Sequence, residues 1–211
     1  MSRKVYEKGG CTQVMRDSNR KFITCITYIS ALGTAVPPVL LYKGASRDLQ
    51  DTWVDDLNEK DTFYFGATEN RWTNDTYSLE WLKTVFKPNT RPKRATTKRI
   101  LIIDSYSSHV NLVFIDYIDR HSIIIVILPL YSTHRLQPLD LNCFLPLSTK
   151  YGIHLNAWLH KSIGQVSISK RTFLPIFRLT WNESFTPMNI LRGFEKAGIW
   201  PFKPPVVLNL I

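Results

Sequence analysis

Ile100-Leu101-Ile102-Ile103-Asp104 begins a stretch that closes on Ile123-Ile124-Ile125-Val126-Ile127-Leu128, and the reading of that stretch decides the fold. Both runs are continuously apolar, as strands covered on both faces are. Between them Val110, Val113, Phe114, Tyr117 and Ile118 recur at helical spacing, with Ser107 or Ser108 placed to cap the helix. A strand, a crossover helix and a parallel strand are expected, right-handed as nearly all such units are. Asp104 then stands at the carboxyl edge of a parallel sheet, where open α/β sheets gather their ligands.

A second acid follows. Thr133-His134-Arg135-Leu136-Gln137-Pro138-Leu139-Asp140 ends just before Phe144, Leu147 and Tyr151, which fit one helical face with Pro146 in its first turns or at a kink. Thirty-five residues lie between the two aspartates. A carboxylate at a strand end and another at a helix start can converge on a pair of Mg²⁺ ions, which hold the attacking and leaving oxygens of a phosphodiester. Taken singly, Asp104 is an acid that caps a turn and Asp140 one favoured by the helix dipole.

Upstream, Lys21 to Ile29 and Val36 to Tyr42 read as a hairpin turning at Leu32-Gly33. Pro37 and Pro38 donate no ladder bond, so the second strand is expected to start late or lie at an edge. Thr62 to Phe65 suggests a further short strand, and Thr73 or Asn74 a cap for a helix presenting Leu79, Leu82, Val85 and Phe86 until Pro88 stops it. Downstream, Thr186 caps, Pro187 takes the first helical position, Ile190, Leu191 and Phe194 form the apolar face and Gly198 ends the helix. Pro201, Pro204 and Pro205 suggest a stiff, extended tail.

With 211 residues and 44% hydrophobic side chains the chain can build one ordinary core and is not a disordered composition. Its net charge of +10 makes a polyanion the first partner to consider, beside a simple solubility role. Cys11, Cys25 and Cys143 lack the close pairing of a zinc site or disulfide framework and read as reduced thiols of an intracellular protein. No secretory signal opens the chain, and the longest apolar run is far short of the roughly 18 residues of a membrane span. A soluble protein with no membrane partner is expected.

Lys83, Lys87, Arg91, Lys93, Arg94, Lys98 and Arg99 crowd the approach to the strand that ends at Asp104. They would contact phosphates without reading sequence, or simply face solvent. His109 and His134 would orient a carboxylate or touch a phosphate from outside the ligand set, or serve as ordinary loop residues. The six tryptophans read as core or surface anchors before base-stacking platforms.

Leu101-Ile102-Ile103-Asp104-Ser105-Tyr106-Ser107-Ser108-His109, followed by Leu128-Pro129-Leu130-Tyr131-Ser132-Thr133-His134-Arg135-Leu136-Gln137-Pro138-Leu139-Asp140, resembles the DDE superfamily endonuclease domain of pogo-like (Tc1/mariner-related) transposases. Ala31-Leu32-Gly33, Pro37-Pro38, Tyr42-Lys43-Gly44, Trp72-Thr73-Asn74, Glu80-Trp81-Leu82, Gly193-Phe194 and Ala197-Gly198-Ile199-Trp200-Pro201 agree in order, so the resemblance runs from about Gly10 to Leu208. It implies an α/β, ribonuclease-H-like mixed sheet with flanking helices: a DDE core over 10–160, incomplete at its N-terminus, and a C-terminal helical extension with a Pro-rich tail over 161–211 of the same domain.

The resemblance also implies DNA cleavage and strand transfer in the nucleus, with Mg²⁺ or Mn²⁺ in a two-ion site. The family's second and third catalytic acids fall on Asp104 and Asp140. Its first lies on a central strand expected to be missing here, since Glu7 and Asp17 follow no apolar run. Ser105 and Tyr106 also replace the family's usual glycine and histidine. The chain is therefore expected to be inactive alone. The alternative is a non-catalytic, domesticated or decayed remnant that binds DNA or a protein. A homo-oligomer is a further expected partner, and a nuclease acting on RNA hybrids has only likeness of fold behind it.

Overall fold

A computed structural model describes residues 2–4, 23–44, 49–58, 61–68, 75–92, 97–104, 111–161 and 169–209 of the chain. The expected caps Thr73, Asn74, Ser107 and Ser108, with Val110, Cys11, Glu7, Asp17, Ser105 and Tyr106, lie outside those residues.

β1 (Ser2–Lys4), β2 (Ile23–Ile29), β3 (Ala35–Lys43) and, after a 3-10 turn at Asp51–Trp53, β4 (Tyr64–Thr68) form one sheet in that order. β1 and β3 run antiparallel to β2, with Arg3 on one side of Cys25 and Leu40 on the other. β4 lies parallel to β3, with Phe65 opposite Leu40. The turn between β2 and β3 is made by Gly33 at φ +83°, a left-handed conformation strained for any side chain; a Cβ there would also stand 3.2 Å from Leu191 Cγ. β3 starts at Ala35, earlier than its prolines suggested. Pro37 and Pro38 fall where the pairing shifts between Ile26/Val39 and Tyr28/Val36, and before β4 joins at Val39. Their missing N–H groups therefore sit at a bulge and an edge.

α1 (Asp75–Trp81) runs through a π-helical turn at Leu82–Phe86 into α2 (Lys87–Asn89). The helix passes Pro88 by one residue instead of stopping at it. Lys87 N donates to Leu82 O five residues back, and the widened turn makes room for the proline ring. Leu82, Val85 and Phe86 are buried as their spacing predicts.

β5 (Arg99–Ile103), α3 (Leu112–Arg120) and β6 (Ile123–Ile127) are the predicted strand, helix and parallel strand, with Ile100 opposite Ile124 and Ile103 opposite Ile127. Asn111 caps α3, its side chain accepting from Phe114 N at 2.8 Å. Phe114 and Ile118 point inward while Val113 faces solvent. The pair is not covered on both faces. Leu101 and Ile123 are sealed under Leu82, Phe86, Phe114 and Ile118, whereas Ile100 (59% exposed), Ile124 (44%) and Val126 (42%) on the opposite face stay bare. The reason is placement, since the helices that pack on this pair share one side of it.

The remaining helices are α4 (Thr133–Leu136), α5 (Pro138–Asn142), α6 (Phe144–Lys161), α7 (Lys170–Ser184), α8 (Pro187–Lys196) and α9 (Pro205–Leu208). Pro146 lies in the first turn of α6, and Leu147 and Tyr151 are buried below it. α7 is closed at its start by a reciprocal box in which Ser169 Oγ accepts from Thr172 N and Thr172 Oγ1 accepts from Ser169 N (3.0 Å). Phe173, Phe177, Trp181 and Phe185 stack in succession along it, with ring centroids 5.1, 5.7 and 3.7 Å apart. That ladder packs on Cys25, Leu40 and Tyr42 of the large sheet, and each buried aromatic contributes roughly 1.5–3 kcal/mol.

Thr186 caps α8 and Pro187 takes its first position. Ile190 and Phe194 are buried, while Leu191 lies against the β2–β3 turn at Gly33 and is partly exposed. The helix ends in a left-handed Gly198, with Gly198 N donating to Glu195 O (2.9 Å) and Ile199 N to Phe194 O (3.2 Å). The tail is not extended. Lys203 N returns to Gly198 O at 2.9 Å and α9 begins at Pro205, because Pro204 and Pro205 supply the φ that a helix start requires.

The architecture is mixed α/β, with two small sheets where one mixed sheet was expected. The helix from Asp75 to Asn89 bridges them: Val85 packs on Ile26, Val39 and Leu41, and Leu82 and Phe86 on Leu101 and Ile123. Tyr28 Oη, on β2, donates to the carbonyl of Ile100 on β5 at 3.4 Å. The three residues of β1 pair with the edge of β2 that faces away from β3.

Candidate active site

Asp104 directly follows β5, where Leu128 N donates to Ile103 O (2.8 Å) and extends the ladder by one bond past β6. The strand pair therefore fixes the backbone on which this half-buried carboxylate stands. Leu128 is buried, and the chain then turns through Pro129, Leu130 and a left-handed Tyr131 (φ 61°). Ser132 Oγ donates to Pro129 O (2.7 Å), closing the turn that leads into α4. His134 lies exposed on α4, and Gln137 is buried at the junction with α5.

Asp140 occupies the first turn of α5, half-buried, with its N–H donating to Gln137 O at 3.0 Å. α5 is held by α8. Asn142 Nδ2 donates to Asn189 O (2.9 Å) and Lys196 Nζ to Asn142 Oδ1 (2.7 Å). A Cβ on Gly193 would stand 2.6 Å from Pro138 O, so only glycine permits this approach. In the sequence Gly193 stands out only within the Gly193-Phe194 block, although an isolated glycine inside a helical pattern often has a packing reason.

The basic candidates lie at the other end. Lys98 precedes β5 and Arg99 starts it, and five residue steps at about 3.3 Å each separate Arg99 from Asp104 by roughly 16 Å. Lys98 is exposed. Arg99 is engaged within the protein: NH1 donates to Thr90 Oγ1 (3.1 Å), NH2 to His121 O (2.8 Å), and its guanidinium lies over the Phe86 ring. Burial lowers its pKa from the usual arginine range. Beside it, His121 Nδ1 lies 2.7 Å from Tyr117 O and its Nε2 lies 2.8 Å from Lys87 Nζ. Lys93, Arg94 and His109 lie outside the described residues.

Two half-buried carboxylates offer the hard oxygen donors that Mg²⁺ and Mn²⁺ take. Among the described residues no three His, Cys, Asp or Glu side chains gather as a group able to hold an ion. The donors fit such an ion in kind. Burial pushes the Cys25 and Cys143 thiols up to about 12.

A family model described as DDE superfamily endonuclease matches residues 19–194. A curated relative from Cochliobolus lunatus, an MFS-type transporter named clz9, is 32% identical over 203 residues, which are 96% of this chain and 21% of that protein. The chain thus spans about a fifth of the length of the relative it matches. Among the described residues no helix is long and apolar enough to cross a membrane. No solved structure matches.

Proposed function

The chain belongs to the DDE superfamily endonuclease family, and on that premise we propose that it is the catalytic-core region of a pogo-like transposase, acting in the nucleus on DNA by metal-dependent cleavage and strand transfer. The observation that carries this reading is the position of Asp104 at the carboxyl edge of the parallel pair, with the chain leaving that edge through α4 to Asp140. A ribonuclease-H-like sheet is the natural extension of this arrangement. β1 lies antiparallel on β2, and Tyr28 reaches from β2 to β5.

Asp104 and Asp140 would hold Mg²⁺ or Mn²⁺, which supplies Lewis-acid charge at phosphodiester oxygens. The chain's own contribution is to hold those carboxylates still, through the Leu128–Ile103 bond on one side and the seat of α5 on Gly193 and Asn189 on the other. His134 and His109 would orient a carboxylate or a phosphate. Lys98, with Lys93 and Arg94, would meet phosphates flanking the reacting one, since β5 sets Lys98 at the far edge.

Calorimetric titration of the whole chain with Mn²⁺ tests the assignment. Asp104→Ala and Asp140→Ala should each weaken binding by at least about tenfold; unchanged binding in both would remove it. A second reading, a non-catalytic module that binds DNA or a protein, is favoured by the net charge of +10 and by the lack of a three-ligand group among the described residues. Mg²⁺-dependent nicking of supercoiled DNA that both variants abolish supports the first reading. Salt-dependent duplex binding with no nicking supports the second.

A further inference from the structure

Trp200 and Phe202 stand apart from the other tryptophans and phenylalanines of the described residues. Among the described residues they are the one tryptophan and the one phenylalanine that stand exposed, at 57% and 80%, and a single proline separates them. The turn that presents them is tightly held. Trp200 N donates to Phe194 O (3.4 Å), Lys203 N returns to Gly198 O (2.9 Å), and Val206 N closes on Lys203 O (3.1 Å) as α9 begins. A Cβ on Gly198 would strike Lys203 O at 2.7 Å, so the turn is packed against its own start.

Charge around the pair has one sign in excess. From Thr186 to Asn209 the chain carries Arg192, Lys196 and Lys203, all exposed, against the single acid Glu195. Lys196 gives one of its three donors to Asn142, two residues along α5 from Asp140, and keeps the others for a ligand. Flat apolar rings beside ammonium groups suit a ligand with exposed π-faces and a polyanionic backbone. Duplex DNA hides those faces, whereas a single strand shows them.

We propose that the Trp200–Phe202 turn is a docking surface for single-stranded DNA, in which unpaired bases stack on the two rings and the backbone crosses Lys196 and Lys203. It deepens the reading of the chain as a DNA-acting domain and rests on it, because the turn adjoins the helix that seats α5. A strand crossing Lys196 would run from the acidic site toward the aromatic pair.

Anisotropy of a fluorescein-labelled mixed-sequence single strand, measured with the full chain in EDTA, tests this without any divalent ion. Trp200→Ala with Phe202→Ala should lower affinity about tenfold or more while leaving the slope of log K against log salt unchanged. Lys196→Ala with Lys203→Ala should reduce that slope by about 1.4, near 0.7 per phosphate contact on a single strand. Trp200→Tyr should keep most of the binding, and the aromatic double variant should bind duplex DNA within about twofold of the parent. Equal single-strand binding by the aromatic variant overturns the proposal, as does a change in sedimentation that makes the pair a protein contact. The two readings fail separately: loss of Mn²⁺ binding in the aspartate variants beside unaltered stacking variants sinks only the docking surface. Intact stacking effects with no aspartate effect on Mn²⁺ sink only the metal site.

Discussion

The two sheets are built from the same kinds of residue and end in opposite situations. In the four-stranded sheet, Leu40 and Tyr42 of β3 are fully buried under α7 and its aromatic ladder, and Val39 and Leu41 are covered on the other face by Val85. In the β5–β6 pair, one face is packed while Ile124, Val126 and Ile100 remain open. An apolar run therefore reports that a strand is buried somewhere, and the number of helices reaching it decides on how many faces. The large sheet is the stable foundation, and Asp104 stands on the less covered unit.

The sharpest way to break that contrast is to cut into each core. Phe177→Ala removes a ring stacked between Phe173 and Trp181 and should cost about 3–5 kcal/mol in denaturant unfolding. Leu101→Ala, under Phe86 and Phe114 in the smaller unit, should cost about 2–4 kcal/mol. A larger loss at Leu101 would reverse the ranking of the two sheets. On the open face, Ile124→Thr with Val126→Thr should shift stability by no more than about 1 kcal/mol; a loss beyond about 2 kcal/mol would mean that the face is covered in the folded protein.

The smallest effect concerns the α6–α7 seam that backs the large sheet. Hydrogen bonds from His154 (3.1 Å) and then Lys150 hold the Glu183 carboxyl below its ordinary value of 4.5. A depressed carboxylate contributes stability above its unfolded pKa and loses it as pH falls through the folded one. Glu183→Gln should therefore be slightly less stable than the parent at pH 6. The gap should narrow as pH falls below the ordinary carboxylate range and through the depressed value, and a gap that does not change with acidification would assign the effect to packing.

Much of the β5–α3–β6 unit was legible, because continuous isoleucine runs and a 3.6-residue helical pattern are local signals. The open face was not, since it depends on which side distant helices choose. The parallel pairing of β3 with β4 was equally hidden, as register between strands far apart leaves no mark in either one. α7, which supplies the core's aromatic ladder, was foreseen only as part of the helical extension that the resemblance implies over 161–211, because Pro175 interrupts the local helical signal between Phe173 and Trp181. At the candidate site the strand-end and helix-start positions of Asp104 and Asp140 were visible in sequence. The seat of α5 on Gly193 was not, and Arg99 proved to be tied to Thr90 and His121.

A metal centre shared by Asp104 and Asp140, as proposed, can be mapped by the cuts it makes. Loading the whole chain with Fe²⁺ in place of Mg²⁺ and adding ascorbate and peroxide generates hydroxyl radicals that cut the backbone beside the ion. A shared centre gives cleavage near both Asp104 and Asp140, suppressed together by excess Mg²⁺ and by alanine at either position. Cleavage beside only one of them, or at neither, would contradict it.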